Sequence, residues 1–327
     1  MSGGLSRRKF FGKSVLATAG AALAVSLEEK ALLAEMAKGT AASGPDSSGK
    51  NLPQGQIGKV KISRIICGGN LIGGWAHSRD LIYVSDLLKR YFTDDKILET
   101  LEVCEENGIN TIMTGSGSGA ILNRYWKERG GKIQWLAQCN ADPNDVGGDL
   151  KKAIDAGAVG AFLLGNVSDD WARSGKVDLI GKFVEFVKKN GVISGVAGHN
   201  LSTSQECEKA GIAPDFYMKT LHSTNYWSTR QPDQDKDVID NYGVDNYWDK
   251  HPDQTIAFMK TMKRPWIAYK VLAAGAIHPK DGFRFAFENG ADFCCVGMFD
   301  FQVVEDAIVA RSILNDKALN RTRAWLA

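Results

Sequence analysis

The chain has 327 residues, 44% of them hydrophobic and 24% charged, with a formal net charge of +2. Residues 1–40 hold six basic and three acidic side chains, which leaves 34 basic against 35 acidic in the rest. A near-neutral body of this size can bury one large core, and it gives no electrostatic reason for a nucleic acid or an anionic membrane as partner.

The N-terminal stretch Ser6-Arg7-Arg8-Lys9-Phe10-Phe11-Gly12-Lys13 precedes an apolar run over 15–27. Two adjacent arginines before a modest apolar segment resemble a twin-arginine (Tat) signal. That run is too short to span a bilayer, and no cysteine follows it closely, so neither a membrane anchor nor a lipid anchor is expected. The expectation is a signal region over 1–38, with the Tat export machinery as a partner and a periplasmic or extracellular location in a bacterium. Residues 39–56 are rich in Gly, Ser, Ala and Asn and read as a flexible linker. The folded body is then expected over 57–327.

Apolar runs of five to eight residues alternate with helical patterns through this body. Strands are expected over 60–67, 109–114, 133–139, 160–164, 192–197, 216–221, 266–272 and 291–297. Helices are expected over 94–107, 120–129, 146–156, 177–190, 203–209, 252–262, 279–288 and 303–314. Thr93 opens the first helix, and Asn107-Gly108, Asn190-Gly191 and Asn289-Gly290 read as C-terminal stops. Continuous apolar strands separated by helices indicate a parallel sheet buried on both faces. Eight such units in about 270 residues are the count and length of a (β/α)8 TIM barrel. A doubly wound sheet is the competing architecture, but its glycine fingerprint belongs after the first strand. The match here, Gly115-Ser116-Gly117-Ser118-Gly119-Ala120, follows the second.

The six cysteines, Cys67, Cys104, Cys139, Cys207, Cys294 and Cys295, contain no CxxC pair and fall mostly inside apolar elements. They read as small buried hydrophobes.

Several segments resemble the aldo-keto reductase superfamily. Residues Ile62 to Gly69 are similar to its opening strand and turn, and Gly108-Ile109-Asn110-Thr111-Ile112-Met113-Thr114 to its GINxFDT strand. Ala268-Tyr269-Lys270-Val271-Leu272-Ala273-Ala274-Gly275 resembles the segment AYSPLGGG that approaches the cofactor in that family. The resemblance implies an oxidoreductase, with NADP(H) held in part by Gly275, Gly297 and Met298. It does not carry over the catalytic tetrad: the Asp, Tyr, Lys and His positions align with Met113, Ser118, Cys139 and Gly165. None of these side chains reproduces a phenol tuned by an ammonium.

Barrel chemistry sits at the C-terminal ends of the strands. In chain order those ends carry Asn70, Trp75, His77, Arg79 and Asp80; Asn140 and Asp142; Asn166 and Asp169; His199 and Asn200; His222 and Asn225; Lys270; and Asp300. His199, His222 and Lys270 form the expected reactive set. A Lys ending an apolar strand suits a Schiff base, a desolvated base or an oxyanion partner. His199 and His222 end adjacent strands and are a candidate pair of divalent-metal ligands, with Asp300 or His77 as a third. His77, Arg79, Trp75, Asn70, Trp227 and Asp300 are the expected substrate-binding groups. The segment 223–252 reads as a long loop or lid, whose aromatics among polar residues suit a sugar-like ring. Three functional readings follow: an exported reductase-like enzyme acting on a small polar substrate, a metal-dependent hydrolase, lyase or isomerase, and a non-catalytic small-molecule-binding barrel.

Overall fold

The computed structural model describes residues 51–78, 81, 83–229 and 249–327. The expected signal region and most of the expected linker lie outside them, as do Arg79, Asp80 and the greater part of the expected lid.

Ten strands are described. Strands β1 (Gln54–Ile57) and β2 (Val60–Ser63) form an antiparallel hairpin. The other eight are β3 (Ile65–Gly68), β4 (Thr111–Gly115), β5 (Gln134–Cys139), β6 (Gly160–Leu163), β7 (Ile193–Gly198), β8 (Phe216–Thr220), β9 (Trp266–Tyr269) and β10 (Phe293–Val296). They pair in parallel in sequence order, and β10 closes on β3. This is the closed parallel barrel that the alternation of apolar runs implies.

Among the described residues the helices are α1 (Val84–Tyr91), α2 (Asp94–Glu106), α3 (Gly119–Glu128), α4 (Leu150–Asp155), α5 (Gly165–Arg173), α6 (Val177–Lys189), α7 (Leu201–Lys209), α8 (Pro252–Thr261), α9 (Pro279–Glu288) and α10 (Asp300–Leu314). Thr93 caps α2, its hydroxyl accepting from the Lys96 N–H. Gly108, Gly191 and Gly290 take φ of 84°, 77° and 99° at the stops after α2, α6 and α9, a region where a side chain is strained.

Four local expectations are corrected. The run 60–67 is two strands, broken at Arg64, whose side chain is pulled away to the floor of the barrel. The linker ends before 56, because Gln54–Ile57 is already a strand and Leu52 is buried. The helix expected over 146–156 shortens to α4, since Asp142, Asn144 and Asp145 fold into a turn on the Asp142 carboxylate. Helices α1 and α5 were not anticipated.

Inward side chains of the barrel fill one core: Ile66, Met113, Leu136, Phe162, Ile193, Ala197, Phe216, Met218, Ile267, Phe293 and Cys295, plugged from the hairpin by Ile57 and Ile62. Gly195 is part of that fit, because a Cβ there would stand 2.3 Å from the Phe216 ring. All six cysteines are free and buried, and burial pushes the Cys139 and Cys207 thiols up to about 12.

The floor is finished by the segment 321–327. Buried Asp292 accepts from the backbone N–H groups of Trp266 and Leu326 and pairs with Arg323. Arg64 donates to the carbonyls of Asp292 and Ala327 at 3.0 and 2.7 Å. The Trp325 ring is sandwiched between the guanidiniums of Arg64 at 3.9 Å and Arg321 at 3.3 Å. Burial pushes both of these arginines down to about 10, against the opposing pull of Asp292.

One helix residue carries a testable cost. Asp306 of α10 is 3% exposed, and burial, with Glu305 beside it, raises its pKa to about 7. Its folded pKa lies above the ordinary aspartate value of 3.8. The cost is therefore absent below that value, grows as pH rises and is complete above about 7. Replacing Asp306 by Asn should stabilise the protein by roughly 2–4 kcal/mol at pH 8 and by little at pH 4. Urea denaturation at the two pH values reads this difference.

Candidate active site at the barrel mouth

The sequence after β6 turns at once into α5, whose first residue is Gly165. One turn later Asp169, fully buried, reaches the end of β7. Its carboxylate accepts the backbone N–H of His199 at 2.9 Å, that of Asn200 at 3.2 Å and the Thr203 hydroxyl at 2.5 Å. It also meets Nδ1 of His199 at 2.8 Å. A carboxylate can only accept here, so Nδ1 carries the proton and the neutral ring leaves Nε2 unprotonated. His199 is 9% exposed. Burial pushes its pKa down, Asp169 pulls it up, and the ammoniums of Lys270 and Lys219 lower it further.

Strand parity places the partners of this pair. Gly195 and Ala197 face inward on β7, and His199 continues that face to the mouth. Phe216 and Met218 face inward on β8, so Thr220 does too. On β9, Ile267 and Tyr269 face inward. Thr220 is in register with Tyr269, and Gly198 with Lys219, so His199, Thr220 and Tyr269 stand side by side on three adjacent strands. The His199 and Tyr269 rings are 5.3 Å apart. Both close on Gly165: a Cβ there would lie 2.8 Å from Cε1 of His199 and 3.1 Å from the Tyr269 hydroxyl.

Lys270 follows, half-buried, with its Nζ 5.7 Å from the centre of the Tyr269 ring. Its charge depresses the pKa of both His199 and His222 and opposes the rise at Cys295, so it stands over the mouth. Its φ is 106°, and Ala273, Ala274 and Gly275 also take positive φ, at 45°, 57° and 90°. Positive φ at three non-glycine residues costs of order 1–3 kcal/mol each and marks a turn held by its surroundings.

His222 has a different position from the one expected. Its Nδ1 meets the carbonyl of Ser223 at 3.0 Å, and its Nε2 accepts the N–H of Asp249 at 2.9 Å. Both nitrogens are engaged in a single neutral tautomer, so His222 has no lone pair for a metal or for proton transfer in this arrangement. Asp249 in turn accepts from the Thr255 hydroxyl of α8 at 3.2 Å and lies 3.8 Å from Nζ of buried Lys219. Lys219 points outward from the barrel, behind Thr220, and donates to the Thr220 carbonyl at 2.9 Å. His222 and Lys219 thus fasten the start of α8 to the end of β8.

The expected metal set is not brought together: among the described residues no three His, Cys, Asp or Glu side chains are placed to share an ion. Asp300 is turned to the flank, where it accepts from the Tyr91 hydroxyl and pairs with Lys96 at 3.1 Å. Trp75 is 67% and Trp227 86% exposed. Trp75 lies against its own loop at Gly73, and its backbone N–H donates to the Asn70 carbonyl at 2.8 Å. His77 sits on the same loop at φ 48°.

The cofactor residues implied by the family resemblance do not fit a dinucleotide as folded. Met298 is fully buried, and Gly297 is roofed by Leu71, whose Cγ would be 3.0 Å from a Cβ at that glycine. Gly275 alone faces open space.

The residues that sequence reasoning passed over are Asp169 as the partner of His199 and inward-facing Thr220 and Tyr269; Lys219 is set aside by strand alternation. Strand parity was the available signal for Thr220 and Tyr269.

The role of His222 is open to a direct check. The change His222→Ala should cost roughly 2–3 kcal/mol, because it strands the buried N–H of Asp249. A chelator should leave the melting temperature of the unaltered protein unchanged.

No family model matches the chain, and no curated protein matches it. Solved structures do. Two structures of a protein described as "putative aldo-keto reductase" from Pseudomonas aeruginosa match at 14% identity with a TM-score of 0.53. They cover 80% and 79% of this chain and 94% and 95% of their own. An N-acetylneuraminic acid synthetase from Leptospira borgpetersenii matches at 11% identity and a TM-score of 0.41, covering 82% of this chain and 92% of its own. The first two likenesses agree with the topology: the chain is a (β/α)8 TIM barrel of the architecture seen in aldo-keto reductases.

Proposed function

We propose that the chain is an exported barrel enzyme that moves a proton on a small polar substrate at the mouth of the barrel, as an isomerase, epimerase or lyase does. The observation that supports it is the Asp169–His199 pair. A buried carboxylate fixes the tautomer and aim of an imidazole whose pKa is lowered by burial, so the ring is a neutral base at pH 7. Lys270, at the same rim and close enough for its charge to lower the His199 pKa, supplies a cation suited to the negative charge that develops as the proton leaves.

In this reading a C–H bond next to a carbonyl breaks, and its electron pair is delocalised onto the oxygen. The proton goes to Nε2 of His199, and Lys270 stabilises the oxyanion. On a 2-hydroxy carbonyl, returning that proton from Nε2 to the neighbouring carbon on the same face, while the hydroxyl proton passes to the first oxygen, completes an isomerisation without a co-reactant. The export part of the proposal rests on the paired Arg7-Arg8 and the apolar run after them.

The reductase version of the resemblance has less support, because its four catalytic positions hold other residues and Gly297 and Met298 are covered. The metal version loses His222 to its two structural bonds.

Incubating the protein in D2O with a panel of small aldoses, ketoses and 2-hydroxy acids tests the proposal. Carbon-bound deuterium, detected by NMR, is the expected result. The His199→Gln change should slow it by about 10²–10⁴-fold. The pH profile of kcat/KM should rise as His199 loses its proton, with a midpoint below the ordinary imidazole value of 6.5. No exchange with any member of the panel, or unaltered exchange in His199→Gln, would leave a binding barrel as the better description.

A further inference from the structure

On the flank of the barrel, α1 and the start of α10 leave an apolar face open to solvent. Tyr83, Leu87 and Tyr91 recur every fourth residue along α1, a spacing that sets them in one stripe. Tyr83 is 57% and Leu87 56% exposed, while Leu88 alone of this helix is buried and anchors it. Phe301, 67% exposed, and Val304 extend the stripe on α10, where they stand three residues apart. Tyr91 joins the two helices, its ring meeting Phe301 edge-on at 6.5 Å. Beneath them Phe92, Phe299 and Phe301 form a ladder of near-parallel rings, spaced 5.5 and 5.1 Å, that runs from buried Phe92 out to exposed Phe301. The outermost ring is thus held in place and turns one face to solvent. Five apolar side chains exposed to this degree amount to on the order of 500 Å² of surface, a size at which a patch on a soluble protein marks an interaction site.

The charges on the same helix say which partner fits. Asp86 lies in the first turn of α1 and Arg90 in the last, one turn apart and both exposed. Among the described residues neither has an ion-pair partner. Turned end for end, α1 presents the same pattern again: Tyr83 and Tyr91 exchange places about Leu87, and acid and base exchange places beside them. We infer that this face is a two-fold interface between two copies of this chain, with α1 packed antiparallel on α1 of the partner subunit. Leu87 lies at the axis, and Asp86 of each copy pairs with Arg90 of the other, so one surface serves both sides. Together with its flanking charged residues the stripe approaches the ~800 Å² per partner of a standard stable interface. Exposed aromatics also suit a lipid surface, but the carboxylates of Asp86 and Glu305 on this face oppose that occupant.

The test is the mass of the full chain by light scattering and sedimentation between about 1 and 100 μM, a range that brackets a micromolar Kd. Twice the mass of one chain is expected at the upper end. Leu87→Ser combined with Phe301→Ser should give a single chain throughout, with the melting temperature of the dilute protein level. Asp86→Arg sets like charges against each other across the axis and should weaken the dimer about tenfold or more. Adding Arg90→Asp to it restores the opposite pairing and should restore the dimer. These two charge variants decide the matter even if the double serine variant fails to fold. A single-chain mass at every concentration overturns the inference. A dimer that persists in the double serine variant or in Asp86→Arg overturns it, as does a charge swap that stays single. A single chain that sediments with phosphatidylcholine vesicles would assign the face to a lipid surface and overturn it as well.

Discussion

The constraint behind every placement in this protein is parity in a closed parallel barrel. Once β10 pairs with β3, the sheet has no edge, and each strand must send alternate side chains to the lumen and to the helices. A slip of one residue on β8 would bring Lys219 into the lumen and send Thr220 to the helix layer. The large outward groups prevent it. Tyr217 reaches back to Glu208 of α7 at 2.9 Å, and Trp266 donates to the Lys219 carbonyl at 3.4 Å. The aromatic ring of Phe216 fills the gap left by Gly195 on the other side. The row His199, Thr220 and Tyr269 follows from these fixed neighbours.

The two ends of the barrel are built to different standards. At the floor the charged groups are tied mostly to the main chain: Asp292 takes two N–H groups, and Arg64, Arg321 and Arg323 each donate to main-chain carbonyls, although Nε of Arg321 and of Arg323 has no hydrogen-bond partner among the described residues. At the mouth there are positive-φ residues from Lys270 to Gly275 and an imidazole whose pKa burial lowers. Features of that kind concentrate where a protein meets a ligand, because stability alone selects against them.

The barrel was legible in the sequence because continuous apolar runs and Asn-Gly stops report strands and helix ends directly. The break at Arg64 was not, since the run 60–67 is apolar on both sides of it, and the distant Asp292 and Ala327 carbonyls draw the arginine to the floor. Helix α5 was hidden by its composition, GNVSDDWAR, in which only Val167 and Trp171 mark an apolar face. His199 and Lys270 could be named as rim residues from their positions. The partnership of His199 with Asp169 spans 30 residues and depends on where a short helix points. The engagement of both His222 nitrogens likewise depends on Asp249, 27 residues away, so the two histidines looked equivalent until the chain was folded.

The floor has a consequence for how this chain reaches its folded state. Arg64 leaves the second strand of the hairpin to bind Ala327, a separation of 263 residues, and stacks on Trp325 on the way. Asp292 and three arginines are buried together only when 321–327 is in place. Until those residues have been synthesised, the floor stays open and carries unpaired charge. A partial chain that lacks this segment therefore lacks the contacts that finish the floor, which makes the floor a late-forming part of the barrel. The segment 321–327 thus acts as the keystone of the floor, joining residues from the first and last strands of the chain.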